Sequence, residues 1–478
     1  MTRNFSLLLN ASNWAGLAVA CHFTGTADGT PLDAVDDTAL VLTIPDGTRE
    51  VQVTATPKAP SYWPTTVSLS FTTDGFLTAD SNSSALVQLA AAGGSGTQLA
   101  FANILVSRFS DVTADVLELL NHPPTKRNGA PVDEVKENTD TYGTWPPPDW
   151  DLHDAPDAHF LDVATPVTGK AMNFAKDPAL TIDVDSVVLK LAGVNSPQLF
   201  AVAWPKAIAP QKDADPTPFL LFVRQGSAQN VGAGYFKGGQ LDPYPNNFDY
   251  ANTGLFQNLH YGQDPLLQAG SKGVPYQAAK AGAEIVTVIP CNSVGPEFGV
   301  LNDTEETGKI LEELQAFMFW RASVPVPPKS VGKTAIAAFS SGNYYLKNWL
   351  SSPANRQGNF LSNTVSAVYF LDPPSDVVDP CIAAALLWAG SADRDKRIRL
   401  YTRLPQSSHA KLLGSPPPAE PYALNSADNR RSASVVTVSS WTRTFAKVFG
   451  STPSLDWQYA HHVIAATMLT HALAQGDF

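Results

Sequence analysis

The stretch Ala338-Phe339-Ser340-Ser341-Gly342 sets two hydroxyls between an apolar run that ends at Phe339 and the helix-forming residues that begin at Gly342. A strand, a two-residue corner and a helix force one residue to the apex of a sharp turn. Small neighbours let the backbone fold back and hold the apical side chain clear of it. A serine hydroxyl is a poor nucleophile near neutral pH, so chemistry at that apex needs a base within hydrogen-bond reach and an acid to orient the base. Ser341 does not fit the same role, because in its frame the closing glycine is Asn343. The competing reading of Ser340 is structural, a serine capping the first turn of the helix.

With its small first position, apical serine and closing glycine, this stretch resembles the nucleophile elbow of the α/β-hydrolase superfamily, of serine esterase and lipase type. The resemblance extends over roughly residues 183–478 in the order of strands and helices, and Ala338 stands where glycine is commoner. It implies the chain order serine, acid, histidine, which leaves His409, His461, His462 and His471 as bases. His409 sits in a polar loop and His471 well inside the last helix. His461 and His462 follow the loop "STPSLDWQYA", where the superfamily holds its histidine; His461 is the first choice and His462 the alternate. The run "VSAVYFL" ends directly in Asp372, a place from which pancreatic-type lipases take their acid; Asp376 is the alternate, and "IRLYTRLPQSS" offers no carboxylate after the next strand. The oxyanion donors implied are the backbone of Ser341 and a group in "VRQGSAQNVGAGYFKGG", where Gln225 and Gly226 stand in place of a frequent His-Gly pair. The implied reaction is hydrolysis of a carboxylic ester, on a small-molecule or lipid-like substrate, through an acyl-enzyme and without metal or organic cofactor. An acyltransferase, or a binding or scaffold protein that keeps the fold without the chemistry, would share these features.

Other motifs have plainer readings. "GKT" at Gly332 to Thr334 lacks the upstream glycine of a phosphate-binding loop, with Pro327 in its place, and it precedes a strand instead of following one. "DLHDAPDAHF" gathers Asp151, His153, Asp154, Asp157 and His159 without helical spacing, and reads as a solvated acidic loop before a metal site. Cys291 reads as a buried free thiol. A net charge of −12 opposes tracking of nucleic-acid phosphates. The three cysteines lie far apart and suit a reducing, cytoplasmic compartment. "MTRNFSLLLNASNWAGLAVAC" imitates a signal peptide, but Asn10, Ser12 and Asn13 interrupt its apolar stretch. No apolar run reaches the ~18 residues of a membrane span.

The elements that must position the corner follow from periodicity. Before Ser110, the segments Thr38 to Pro45, Arg49 to Pro57, Thr65 to Thr73 and Ser84 to Ala91 alternate and are rich in β-branched residues, between Asp-Gly and Gly-Ser turns. They predict an all-β sandwich or barrel over residues 1–120, followed by a Pro- and Asp-rich linker or wrapping loop over 121–166. From 167 to 478, continuous apolar runs near 186–194, 198–204, 218–226, 283–290, 333–340, 365–374 and 398–403 alternate with helical stretches at 305–322 and 379–390. Strands apolar on both faces and bridged by helices predict a mostly parallel, doubly wound α/β sheet, with functional groups at the carboxyl ends of its strands.

Overall fold

The computed structural model describes residues 5–13, 17–44, 47–59, 63, 65–71, 77–80, 87–92, 99–113, 126–127, 130–131, 184–192, 199–205, 216–223, 236–237, 240–241, 274–291, 299–321, 330–390, 396–402, 412, 423–424, 431–435 and 460–477. The linker of 121–166 lies outside them except for a short two-stranded ribbon.

Strands β1 (Phe5–Ser12), β5 (Ala39–Ile44), β9 (Val87–Ala92) and β10 (Leu99–Leu105) form one N-terminal sheet in the order β5-β1-β10-β9. A second sheet holds β2 (Cys21–Ala27), β3 (Thr30–Pro31), β4 (Val35–Asp37), β6 (Glu50–Pro57), β7 (Thr65–Phe71) and β8 (Leu77–Asp80). Along β6 exposed and buried positions alternate almost perfectly, and Val51, Val53 and Ala55 face Leu7, Leu9, Leu40 and Ile44 of the other sheet in one core. Of the two expected arrangements, this is the sandwich. Within the apolar N-terminal stretch, β1 runs parallel to β10 inside its sheet and buries Leu7, Leu9 and Ala11.

The large sheet begins with β11 (Phe109–Asp111), so the division expected at residue 120 does not coincide with the sheets. Its other strands are β14 (Val184–Leu191), β15 (Leu199–Pro205), β16 (Phe219–Val223), β19 (Val286–Cys291), β20 (Thr334–Phe339), β21 (Val365–Leu371), β22 (Arg397–Thr402), β23 (Ala423–Leu424) and β24 (Arg431–Val435). Two ribbons, β12 (Lys126–Arg127) with β13 (Ala130–Pro131) and β17 (Phe236–Lys237) with β18 (Gln240–Leu241), stand apart from it. The order is β11-β14-β15-β19-β16-β20-β21-β22-β24-β23, and the run from β19 to β24 is parallel throughout. β15 is antiparallel to both neighbours.

Helices cover both faces, as continuous apolar strands require. Helices α2 (Thr304–Arg321), α3 (Gly342–Ser351) and α5 (Val378–Gly390) pack on the face that carries Ile336, Ala338, Val368 and Phe370. Helices α1 (Val274–Lys280) and α6 (Ala460–Leu473) pack together on the opposite face, with α6 against β21 and β22; a short helix α4 (Pro353–Gln357) follows α3. Every residue of β20 is buried, which is why "TAIAAF" shows no alternation. Truncating one such buried Leu, Ile or Phe to Ala costs roughly 2–5 kcal/mol. Asp303 starts α2 by accepting the N–H groups of Glu305 and Glu306 at 2.9 and 3.2 Å. Among the described residues, no helix is long and apolar enough to cross a membrane.

The sandwich is bolted to the edge of the large sheet. The Trp63 indole N–H donates to the Lys190 carbonyl at 3.2 Å, and the Lys190 ammonium lies 4.8 Å from the Trp63 ring centroid. Arg108 donates through Nε to Glu313 at 2.8 Å and through Nη1 to Glu306, tying the start of β11 to α2.

Candidate active site

Ser340 follows the buried β20 directly and adopts φ +53°, in the left-handed region that non-glycine residues avoid at a cost of about 1–2 kcal/mol. Its N–H donates to the Leu371 carbonyl at 3.1 Å, one step beyond the ladder of β20 and β21, and its carbonyl accepts the N–H of Asn343 at 3.0 Å. The chain therefore leaves the sheet and enters α3 within two residues, with Ser340 half-buried at the apex. The cap position of α3 belongs to Ser341, whose side chain makes no capping bond.

Asp372 repeats this geometry one strand over. It follows β21, has φ +43° and is 1% exposed. Its N–H donates to the Tyr401 carbonyl at 2.7 Å, and its Oδ1 accepts from the Thr402 hydroxyl at 3.3 Å. Because Phe339 is in register with Leu371, Ser340 and Asp372 occupy equivalent corners at the carboxyl ends of adjacent parallel strands. Neighbouring strands lie about 4.8 Å apart, so a side chain above both corners can reach both. Asp376 is exposed and accepts from the Tyr344 hydroxyl of α3 at 2.6 Å, and the bond to that carboxylate pushes the Tyr344 phenol up.

His461 and His462 stand in the first turn of α6, and their side chains lie outside the described residues, as do His409, Gln225 and Gly226. The C-terminal end of α6 is anchored to β21 and β22. Beyond its C-terminus, Asp477 is paired with the buried Arg399 (Nε to Oδ2, 2.9 Å) and accepts from Ser366, near the start of β21, through its carbonyl. Further back along the helix, the His471 Nδ1 lies 2.7 Å from the hydroxyl of Tyr401 on β22. Gln277 of α1 is wholly buried and grips this helix, donating to the Ala465 carbonyl at 2.8 Å and accepting the Thr470 N–H at 3.0 Å. His471 also stacks edge-on against Tyr401 with ring centroids 5.7 Å apart.

Two residues beside the corners were not legible from spacing. Asn343 is fully buried, and its Nδ2 donates to the carbonyls of both Ser340 (2.8 Å) and Leu371 (3.2 Å). Thr402 is fully buried against Asp372. An asparagine near a helix start and a threonine at a strand end are both commonplace, so neither carries a sequence signal.

The remaining motifs resolve into packing where the structure describes them. A Cβ on Gly332 would meet the Pro216 carbonyl oxygen at 2.3 Å, so the glycine of "GKT" serves a close approach of two backbone segments. Cys291 ends β19. Burial pushes the Cys381 thiol up to about 12, which leaves it without thiolate character. No group of three or more metal-ligating side chains occurs among the described residues, and the acidic loop of 151–160 lies outside them.

No protein-family model and no curated protein sequence matches this chain. A solved structure of FAE aligns with 66% of this chain and 92% of its own length, at 11% identity and a TM-score of 0.28. A solved esterase from Pyrococcus furiosus aligns with 47% of this chain and 72% of its own length, at 11% identity and a TM-score of 0.21. Both alignments cover part of the chain.

Proposed function

We propose that this protein is a serine hydrolase that cleaves a carboxylic ester through an acyl-enzyme, with Ser340 as nucleophile, His461 as general base and Asp372 as the acid that orients it. The observation that carries this reading is the pair of left-handed corners: of three non-glycine residues with positive φ among the described residues, two are Ser340 and Asp372, on adjacent strand ends. Backbone strain of this kind persists only where surrounding structure enforces it, and it gathers at functional sites.

In the proposed cycle, Ser340 Oγ attacks the ester carbonyl carbon while the histidine takes its proton. The tetrahedral oxyanion accepts from the Ser341 N–H, at the positive end of α3, and from a second donor in the loop after β16, where Gln225 and Gly226 are the candidates. Collapse breaks the carbon–alkoxy bond, and the histidine returns the proton to the departing alcohol. Water, deprotonated by the same histidine, then attacks the acyl-enzyme and releases the acid and Ser340. Asp372, buried beside Thr402, holds the imidazole and stabilises its cation. Asp376 is less suited, because it is exposed and bonded to Tyr344. His462 replaces His461 if the helix turn presents that residue instead. The substrate class is a small or lipid-like ester.

The test is labelling of the full chain by a fluorophosphonate together with hydrolysis of p-nitrophenyl butyrate. Wild type should label and turn over, and Ser340→Ala should do neither while keeping its circular dichroism. Equal labelling of Ser340→Ala would refute the assignment. Comparing His461→Ala with His462→Ala identifies the base.

A further inference from the structure

We infer that Asn343 is a positioning residue that locks the nucleophile corner to the acid corner. The inference rests on the Ser340–Asp372 reading above and adds a residue that the triad does not include.

The case begins with redundancy. The Ser340 carbonyl already accepts the Asn343 N–H at 3.0 Å, and the Leu371 carbonyl already accepts the Ser340 N–H at 3.1 Å. Neither oxygen would be orphaned without the Asn343 side chain. Yet Nδ2 donates to both, at 2.8 and 3.2 Å, while Oδ1 is buried without a hydrogen-bond partner among the described residues. Exchanging Nδ2 and Oδ1 would set an oxygen against two carbonyl oxygens, so the orientation is fixed by its surroundings. An unsatisfied buried oxygen is unfavourable, and an apolar side chain of similar size would avoid it. What the amide adds is a fixed distance between two peptide planes.

Those two planes set the geometry of the proposed chemistry. The Leu371 carbonyl belongs to the peptide that precedes Asp372, and the orientation of that peptide determines the φ of +43° at Asp372. The Ser340 carbonyl belongs to the peptide joining Ser340 to Ser341. In a planar trans peptide the C=O and N–H point in opposite directions, so anchoring the Ser340 oxygen also aims the Ser341 N–H, the proposed oxyanion donor. Rotation of the Leu371–Asp372 peptide would let Asp372 relax toward negative φ, and rotation of the Ser340–Ser341 peptide would change ψ of Ser340 and swing the Ser341 N–H away. One buried amide opposes both rotations. The Asn343 carbonyl in turn accepts from the Cys381 thiol at 3.6 Å, tying α3 to the helix that follows the acid loop.

A residue that aims the oxyanion donor and the acid acts on the transition state and leaves substrate binding alone. In the full chain, Asn343→Ala should lower both kcat for p-nitrophenyl butyrate and the limiting rate of fluorophosphonate labelling by about 10- to 100-fold. KM and the half-saturating fluorophosphonate concentration should stay within about twofold of wild type. Asn343→Ser, whose hydroxyl can serve one of the two carbonyls, should fall between wild type and Asn343→Ala; it decides by the same criterion if Asn343→Ala does not fold. A folded Asn343→Ala that labels at the wild-type limiting rate, or a loss confined to KM, overturns the inference while Ser340 stands as nucleophile. Wild type that fails to label at Ser340 removes the Ser340 reading and this one together.

Discussion

The two halves of the molecule each contain non-glycine residues in left-handed backbone, and they carry the strain differently. In the sandwich the residue is Asp28, at the turn into β3, next to Gly29 with φ +79°. Its carboxylate accepts the N–H groups of Arg49 at 3.0 Å and Glu50 at 2.9 Å, so the side chain itself compensates for the turn. Aspartate and glycine are the residues that tolerate such a conformation, and the turn is visible as "DG". In the large sheet, Ser340 and Asp372 lie between buried strands and the segments that follow, and neither neighbours a glycine with positive φ. Their conformation is held by backbone bonds to the next strand, Ser340 to Leu371 and Asp372 to Tyr401, and by Asn343. Strain balanced by its own turn is a feature of local folding, whereas strain held by tertiary contacts points to a use for the side chain so displayed.

That contrast can be broken. The largest expected effect is on turnover: Ser340→Gly removes the hydroxyl and the Cβ that makes the corner unfavourable. Ester hydrolysis should fall by several powers of ten while stability to urea stays within about 1 kcal/mol of wild type. A large loss of stability would mean that the corner is structural. Next, if Asp372 is the acid of the proposed triad, Asp372→Asn should slow turnover by about 10²- to 10⁴-fold, because such an acid orients the imidazole without joining the covalent step. Asp376→Asn should stay within a few-fold of wild type, and a reversal of the two would move the acid to Asp376. In the sandwich the ranking is the opposite. Asp28→Ala keeps an unfavourable Cβ and loses the acceptor of two N–H groups, so urea denaturation should show a loss of about 1–2 kcal/mol with hydrolysis unchanged. Unaltered stability there would end the claim that this turn is balanced by its own side chain.

The smallest effect concerns the joint between the halves. Burial pushes the Glu313 carboxyl up to about 7, against the opposing pull of Arg108, and Glu306 and Glu312 add to the rise. A carboxyl raised on folding binds more protons in the native state than in the unfolded one between its two pKa values. Its contribution to stability is therefore complete below about 4.5, the ordinary value, and is lost as pH rises through about 7. Melting temperatures followed from pH 4.5 to 7.5 should decline less steeply in Glu313→Gln than in wild type. Parallel curves would show that this group does not titrate in that window.

Much of the architecture was legible because burial imposes period. Alternation in "REVQVTATP" marks a strand with one wet face, and its absence in "KTAIAAFS" marks one buried on both, which is how β6 and β20 are found. β1 was harder to see, since a short apolar stretch at the chain's start looks the same whether it is a leader or a central strand. The serine corner was visible because the apolar run and the helix leave room for only two residues between them. Asp372 was visible only as a carboxylate at a strand end; that it shares φ, level and neighbour with Ser340 depends on the register of β20 with β21.

The sequence by itself determined the alternation of buried strands and helices, the sharpness of the turn after Phe339 and the residue types at its apex, because these depend on neighbours along the chain. Only the tertiary structure decided that the strand after the serine strand lies beside it, that a buried asparagine spans both corners, and that the sandwich joins the sheet through Arg108, Glu306 and Glu313. Each of these joins residues well apart in sequence, and their proximity is fixed by sheet register and packing, for which no local pattern of residues exists.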